Sequence, residues 1–288
     1  MQTRTIQQLA YGTPMDMGGF PIRQAIPNRT IDQLDPFLLL HHANLTVDKN
    51  INVLHAGVGP HPHRGFSPVT FIFEGGVHHR DSRGNNNIVY AGGTQWMNAG
   101  MGIIHSERPP ANIHELGSRQ ELIQLWINTP AKHKMDQPVY MPLTADNTPV
   151  VKSNDNNTTI QVIAGKLHDV IGPIKPQSPI NMFTVNSKKD VTYFLPIEEA
   201  HHLFVYILNG KISIAGKEVP QFNMAILNND GTGIALNFIE DSILLVGSGE
   251  PLNEPVASHG PFVMNSETQL MEAFRDYQLG KMGVLIEQ

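Results

Sequence analysis

The sequence of 288 residues contains no cysteine, which excludes a disulfide framework, a thiolate metal site and a thiol nucleophile. Charged residues make up only 16% of the chain, and 20 Lys and Arg against 26 Asp and Glu give a net charge of -6. The basic residues are not clustered, so the chain lacks the positive surface that binds nucleic acid or an anionic membrane. We therefore expect no direct binding to nucleic acid.

Long hydrophobic runs are absent as well. The chain contains no stretch of ~18 apolar residues, the length that a membrane span requires. Its N-terminal segment is polar, whereas a signal peptide has an apolar core. We therefore expect a cytoplasmic protein with no membrane partner.

Short apolar runs alternate with turn residues along most of the chain, a pattern typical of an all-β sandwich or barrel. The exception is a predicted helix at about 266–279, where Ser266 and Gln269 fit a capping box and Gly280 is a suitable stop. The predicted strands are 69–73, 122–127, 159–163, 204–208, 211–214 and 243–246.

A faint internal repeat indicates two similar halves. The segment 71–75 (Phe-Ile-Phe-Glu-Gly) resembles 206–210 (Tyr-Ile-Leu-Asn-Gly), and each predicts a strand that runs into a tight turn. Between them, the segment 142–158 includes a polar stretch and is interpreted as a linker. We therefore predict two β-barrels, one formed by residues 1–145 and the other by residues 146–288.

Two short motifs carry the candidate chemistry. His61 and His63 are two residues apart, as are His105 and Glu107. Residues two apart on a β-strand point to the same face, so neighbouring strands could bring three imidazoles and one carboxylate together. That set of ligands suits a divalent metal such as iron, zinc, nickel or manganese. Glu107 could be the fourth ligand or a general base that accepts a proton from a substrate.

The other histidines are interpreted as lying outside this site. In the second half, His201 and His202 are adjacent and would point to opposite faces of a strand, so we expect no metal there. The same argument predicts that one residue of the pair His41 and His42 is buried. Four further histidines could orient the metal ligands through hydrogen bonds, although solvated loop positions are favoured for all of them: His55, His78, His79 and His114.

The two motifs resemble the signature of the pirin family. The matching residues are 61–66 (His-Pro-His-Arg-Gly-Phe), 95–97 (Gln-Trp-Met) and 99–107 (Ala-Gly-Met-Gly-Ile-Ile-His-Ser-Glu). Segments near both ends are similar to the family too, namely 35–39, 254–256 and 260–265 with Asp276, Tyr277 and Gly280. The resemblance therefore covers nearly the whole chain.

This resemblance implies a bicupin, a protein of the cupin superfamily with two stacked cupin β-barrels. Residues 1–145 would form the metal-binding cupin barrel, and residues 146–288 a cupin barrel without metal that ends in the helix at about 266–279. One divalent metal, usually iron in this family, is implied, and zinc, nickel, manganese or cobalt would also suit the site. The implied metal ligands are His61, His63, His105 and Glu107.

The chain departs from the family pattern directly after the first motif. Where the family commonly has Gly-Phe-Glu-Thr, this chain has Gly-Phe-Ser-Pro at 65–68. In pirins the carboxylate ligand comes from the second motif, so we expect metal binding to be kept. Proline has no N–H to donate within a sheet, and Pro68 therefore predicts an edge strand or an altered strand start. Arg64 is expected to hold the motif turn, and Trp96 to pack in the interior.

Two functions follow from the resemblance. The first is a quercetin 2,3-dioxygenase-like oxidoreductase, which opens a small aromatic substrate of the flavonol type with O₂, Glu107 serving as proton acceptor. The second is a non-enzymatic, iron-dependent regulator that binds a partner protein as a transcriptional cofactor. A third hypothesis, a storage or structural bicupin, is disfavoured because structural metal sites are usually closed. A cavity lined by Phe and Met beside the metal would favour the enzyme.

Overall fold

The structure is a computed structural model that describes residues 2–287. These residues form two compact units, each assembled from separate segments of the chain. Unit N comprises residues 15–22, 37–145 and 253–287. Unit C comprises residues 2–14, 23–36 and 146–252.

Strands dominate the structure. In chain order they are β1 (Ile6–Tyr11), β2 (Thr13–Asp16), β3 (Pro21–Ile26), β4 (Phe37–Thr46), β5 (Val58–His63), β6 (Phe66–Glu74), β7 (Gly76–Asp81), β8 (Asn86–Tyr90), β9 (Thr94–Asn98), β10 (Ile103–Arg108), β11 (Arg119–Asn128), β12 (Val139–Leu143) and β13 (Val150–Lys152). They continue as β14 (Thr158–Ala164), β15 (Lys166–Leu167), β16 (Val170–Ile171), β17 (Ile180–Ser187), β18 (Val191–Pro196), β19 (His202–Asn209), β20 (Lys211–Ile214), β21 (Lys217–Pro220), β22 (Asn223–Leu227), β23 (Gly233–Phe238), β24 (Ser242–Gly249), β25 (Ala257–His259) and β26 (Phe262–Met264). The α-helices are α1 (Ala111–Leu116) and α2 (Glu267–Gln278), and short 3-10 turns cover Val53–His55, Ala131–His133 and Ala145–Asn147.

The six predicted strands and the C-terminal helix are all present, and the all-β class with a short helix at the end is confirmed. The predicted linker 142–158 is wrong in extent, because β12 runs to Leu143 and β13 pairs with β14 through Val151 and Ile160. Within this segment, residues 144–149 and the polar turn at 153–157 lie between strands. No helix within residues 2–287 has the length and apolar character to cross a bilayer. The cytoplasmic location stays a prediction.

Unit C is built from two antiparallel sheets around a filled interior. One sheet has the order β1-β22-β19-β24-β17-β14-β13 and the other the order β18-β23-β20-β21. Apolar side chains from both sheets form one continuous cluster, to which Phe183, Val205 and Leu236 contribute fully buried side chains. Burial of this area stabilises the unit by roughly 25 cal/mol per Å² of apolar surface.

The N-terminal strand β1 belongs to unit C, which differs from the predicted assignment of residues 1–145 to a single barrel. It pairs antiparallel with β22, from Ile6 opposite Leu227 to Tyr11 opposite Asn223. Ile6 and Leu9 pack against the core cluster of that unit. The backbone hydrogen bonds with β22 and this apolar contact hold the segment in place. Neither contact can be predicted from the sequence of β1 alone.

Unit N contains a sheet with the strand order β12-β9-β6-β11-β4 and a second sheet with the order β5-β10-β7-β8. Fully buried apolar residues of this unit include Leu40 of β4, Phe71 of β6 and Leu125 of β11. Smaller clusters are formed by Ile72 with Val77 and Val89, and by Met97 with Ala99 and Ile103. Unit N therefore has an apolar core of its own.

Helix α2 packs within unit N, so the prediction that the helix ends the second barrel also needs correction. Ser266 Oγ accepts a hydrogen bond from the backbone of Gln269, and the Gln269 side chain accepts one from the N–H of Asn265. The capping box therefore forms with its return bond shifted by one residue. Leu270 is buried against Phe262 of β26, which explains why the helix lies in this unit.

Candidate metal centre

Strands β5 and β10 pair antiparallel and carry the two predicted motifs side by side. His61 lies directly opposite His105, and His63 lies opposite Ile103. Because alternate residues of a strand share a face, all three imidazoles project to the same side of this sheet. The spacing argument and the observed register therefore agree for the three histidines.

The three imidazoles form a compact group. Each offers one nitrogen such that these ligand atoms all lie within 4.8 Å of one another. The ring centroids of His61 and His105 are 4.4 Å apart, and those of His63 and His105 are 4.9 Å apart. His63 and His105 are each only 2% exposed. The group is therefore dense and largely removed from solvent.

The free nitrogens of this group fit a divalent metal. Within the described part of the chain, Nε2 of His105 is buried without a hydrogen-bond partner, and the ring nitrogens of His63 are buried with only the backbone of Pro261 interacting with that ring. A buried polar atom left unpaired costs about 1–3 kcal/mol, so such atoms call for a ligand. His61 Nδ1 donates to the carbonyl oxygen of Gly59 over 2.8 Å, which leaves its Nε2 lone pair free.

The protonation state of the buried histidines suits coordination too. Burial, together with the neighbouring His61, holds the pKa of His63 well below its ordinary value. Burial and the surrounding imidazoles lower the pKa of His105 in the same way. Both rings are therefore neutral near pH 7, which is the form that binds a metal.

Glu107 lies close to the histidines in sequence but outside their compact group. A β-bulge between His105 and Glu107 shifts the register, so that Glu107 lies opposite Val58 on β5. Its carboxylate accepts hydrogen bonds from Thr70 Oγ1 at 2.7 Å and from Gln124 Nε2 at 2.8 Å. Two neutral donors on the neighbouring sheet therefore hold the carboxylate.

A cavity opens beside Glu107 within unit N. One polar row crosses its wall, because Thr70, Gln124 and His41 lie opposite one another on β6, β11 and β4. The remaining wall is mostly apolar and includes Met17, Phe20, Ile22, Val58, Val77 and Leu122.

The pair His41 and His42 behaves as its spacing predicts. His42 is buried, and its Nε2 lies 3.0 Å from a carboxylate oxygen of Glu121. His41 points to the other face, lines the cavity, and has its pKa lowered to about 4 by burial. The sequence interpretation missed that this second face is a cavity wall rather than solvent.

The structure shows that the interpretation of His79 as a solvated loop residue is wrong. It lies on β7, next to β10, and is only 2% exposed. Its Nδ1 lies 3.4 Å from Nδ1 of His105, and its Nε2 lies 2.9 Å from Oδ2 of Asp81. His79 and Asp81 are two residues apart, so the spacing rule that predicts the candidate ligands also predicts that these two side chains share a face.

Tyr140 of β12 covers the far side of His79. The two rings stack with centroids 3.8 Å apart and planes 4° from parallel. Burial and the nearby carboxylates of Glu107 and Asp81 raise the pKa of the Tyr140 hydroxyl, which stays protonated. The stack fixes the plane of the His79 ring.

The turn after the first motif is held by two buried cations. Arg64 donates to the carbonyl oxygen of Met101 over 2.7 Å and to Asp276 of α2 over 3.1 Å, which agrees with its expected structural role. Lys134 donates to the carbonyl oxygens of Gly65 and Val263 at 2.6 and 3.0 Å. The sequence interpretation missed Lys134, whose position in the chain gives no signal of burial.

Trp96 and Pro68 lie on the neighbouring strands β9 and β6. Trp96 is 1% exposed, as expected for a packing residue. Pro68 lies in β6, an interior strand, so the edge prediction is wrong. Pairing of β6 with β9 covers Val69–Phe71 and begins after Pro68. The proline therefore adjoins this ladder without interrupting it.

The fold and the site together define a double-cupin protein with a candidate metal centre in one of its two units. Residues 19–127 match the family described as Pirin, and residues 182–283 match the Pirin C-terminal cupin domain. The chain belongs to the pirin family.

Three similar proteins illustrate this relationship. A protein of Pseudomonas aeruginosa named "Putative quercetin 2,3-dioxygenase" is 36% identical over 264 residues, which cover 91% of this chain and 92% of that protein. A pirin-like protein of Solanum lycopersicum is 33% identical over 92% of this chain and 88% of its own length. The crystal structure of quercetin 2,3-dioxygenase from Acinetobacter baumannii has a TM-score of 0.92 and 33% identity, covering 99% of this chain and 100% of that one.

Proposed function

We propose that this protein is a metal-dependent dioxygenase that opens a small aromatic substrate of the flavonol type with O₂. The observation that carries the proposal is the cavity that Glu107 and the aromatic side chain of Phe20 line. The names of the Pseudomonas and Acinetobacter relatives support the same reaction class.

We assign His61, His63 and His105 as the residues that hold one divalent metal, and iron as the expected metal. When bound, such a metal supplies open coordination positions and Lewis-acid activation for the substrate and O₂. The buried ring nitrogens of His63 and the unpaired Nε2 of His105 support this assignment. The bonded Nδ1 of His61 directs its other nitrogen to the same centre.

Glu107 has two candidate roles within this proposal. As a fourth ligand it would turn its carboxylate from Thr70 and Gln124 toward the histidines. As a general base it would stay on these two donors and take a proton from a substrate hydroxyl onto one of its oxygens. The hydrogen bonds seen in the structure support the second role.

The walls of the cavity would orient the substrate. Phe20, Met17 and Leu122 offer apolar and aromatic contact to flat rings. The polar row of Thr70, Gln124 and His41 lies on the wall and fits a ligand with hydroxyl groups at one edge. A polyphenol meets both requirements.

The test combines metal analysis with O₂ uptake. The protein would be purified without added metal, its bound metal determined by elemental analysis, and O₂ consumption followed with quercetin. A His61→Ala, His63→Ala double variant removes two ligands, and His114→Ala, on the exposed side of unit N, is the matched control. We expect stoichiometric metal and O₂ uptake in the wild type and the control, and neither in the double variant.

Other outcomes decide between the hypotheses. Bound metal without O₂ uptake from either quercetin or related polyphenols would contradict the dioxygenase and favour the regulator that binds a partner protein. Absence of metal from the wild type, even after incubation with Fe²⁺, would contradict the site itself. Quercetin represents the substrate class in this assay. O₂ uptake with a related polyphenol but not with quercetin would change the identity of the substrate and leave the proposed reaction class intact.

A further inference from the structure

A buried relay of side chains extends from the three-histidine cluster into the protein. His105 Nδ1 lies 3.4 Å from His79 Nδ1, and His79 Nε2 lies 2.9 Å from Asp81 Oδ2. All three residues are at most 4% exposed. They lie on the paired strands β10 and β7, where His105 is directly opposite Asp81.

The donors in this relay can be assigned from its far end. Asp81 accepts hydrogen bonds from the backbone N–H groups of Arg83 and Asn85 and from Asn85 Nδ2, so its carboxylate acts as an acceptor throughout. His79 must then donate its Nε2–H to Asp81, which leaves Nδ1 of the neutral ring as an acceptor. His105 in turn donates its Nδ1–H to His79.

This assignment determines what His105 presents to the cluster. With the proton on Nδ1, its Nε2 carries a lone pair, and this is the buried nitrogen that has no partner among the described residues. The stacked ring of Tyr140 keeps His79 in the plane of the relay. Outer partners of this kind orient a ligand histidine and raise its basicity.

We propose that His79 is a positioning residue for the metal centre, because its ring joins His105 to Asp81 and holds His105 with Nε2 turned toward the bound ion. The inference rests on the proposed function, since it presumes that the histidines bind a metal. It adds a residue that touches neither the ion nor the substrate. Asp81 anchors His79 and thereby the whole relay.

Two substitutions at one position separate hydrogen bonding from packing. His79→Asn places an amide oxygen where Nδ1 stands, so an acceptor for His105 remains although the ring is lost. His79→Phe keeps a ring against Tyr140 but has no acceptor. His78→Phe is the matched control, because His78 is the adjacent residue, points to the other face and bonds Asn86 at 2.6 Å.

The measurement is the dissociation constant of Ni²⁺ for the metal-free protein, with Ni²⁺ alone as the probe and a chelator as competitor. Removal of an outer partner typically weakens metal binding by about 10- to 100-fold. We expect that loss for His79→Phe, a smaller loss for His79→Asn, which keeps the acceptor for His105 but not the bond to Asp81, and no change for His78→Phe. The reverse order, with Phe binding tightly and Asn weakly, would show a packing role and overturn the proposal.

A second measurement uses only the wild type, so it remains possible even if the His79 variants do not fold. Long-range ¹H–¹⁵N spectra of the metal-free wild type report which ring nitrogen of each histidine carries the proton. We expect Nε2–H for His79 and Nδ1–H for His105, and the opposite tautomers would overturn the inference. Failure of the wild type to bind Ni²⁺ would instead contradict the proposed function, while the two tautomers would still test the relay.

Discussion

The side-chain amide of Gln124 donates a 2.8 Å hydrogen bond to Oε2 of Glu107. The oxygen of the same amide accepts a 3.0 Å hydrogen bond from Nε1 of Trp126, which fixes the orientation of the amide group. Trp126 also packs edge-on against His63, with ring centroids 5.5 Å apart. The carboxylate at the cavity and a histidine of the cluster are thus held by one connected set of side chains.

Substitution Gln124→Leu should leave metal binding intact and slow the reaction. The variant removes one of the two donors that orient Glu107, and a hydrogen bond to a charged group contributes about 1.5–3 kcal/mol. If that interaction acts in the transition state, kcat for O₂ uptake with quercetin should fall about 10- to 100-fold. Gln161→Leu, in unit C, is the matched control. Equal rates for the two variants would exclude a role for the Gln124 bond.

Substitution Glu107→Gln separates the two roles of the carboxylate. The amide cannot accept a proton, but it fills the same space beside Thr70 and Gln124. Loss of a general base should lower the rate of O₂ uptake by about 10²- to 10⁴-fold while the metal content stays stoichiometric. A variant that purifies without metal would show instead that Glu107 is a ligand. Elemental analysis and the O₂ electrode together give the answer.

Substitution Gly65→Ala should destabilise unit N and disturb the turn after His63. Gly65 has φ +84°, and a Cβ there would collide with the carbonyl oxygen of Val263. Gly216→Ala is the matched control, because Gly216 has φ +78° and open space around it.

The control should cost about 1–2 kcal/mol for its backbone conformation alone. Gly65→Ala should cost about 1–3 kcal/mol more, since the collision forces the backbone to shift. Denaturant unfolding of the two variants measures the free energy difference. Equal losses would contradict the close packing of the turn against Val263.

The stability of the fold should rise with pH through the titration of Lys134. Burial lowers the pKa of Lys134 from 10.5 to about 8, and the charge of Glu254 opposes this only in part. Between these two values the unfolded chain binds more protons than the folded one, so the free energy of unfolding increases with pH. At 1.36 kcal/mol per pKa unit, the full effect is about 3 kcal/mol.

The comparison needs a variant without the titrating amine. The free energy of unfolding of the wild type should rise from pH 8 to pH 10.5 relative to that of Lys134→Met, which has no amine to titrate at this position. Lys132→Met is the control, because Lys132 is exposed and its substitution should produce no such trend. A constant difference across this range would mean that Lys134 keeps an ordinary pKa despite its burial.

The sequence was sufficient for much of the site. Strand periodicity alone predicts that His61 and His63 share a face, and the structure brings them together with His105 as expected. The same periodicity applies to His79 and Asp81, but a solvated loop position was favoured for His79, and Asp81 was not considered. Helix α2 was also predictable, since its cap and apolar stripe are local.

The remaining features depend on contacts between distant parts of the chain. The bulge that places Glu107 opposite Val58 depends on how β5 and β10 pair. The register of this pairing cannot be predicted from the sequence of either strand alone. The placement of β1 in unit C follows from its ladder with β22. The burial of Lys134 follows from three carbonyl groups that come together only in the folded chain.

The sequence by itself determined the all-β class, the helix at the end and the face on which the histidines lie, because these depend on side-chain direction along single elements. Tertiary structure alone decided the cavity beside Glu107, the relay through His79 and the division of the chain between the two units. Those features arise from hydrogen bonds and packing between residues up to hundreds of positions apart, which no periodicity within one strand encodes.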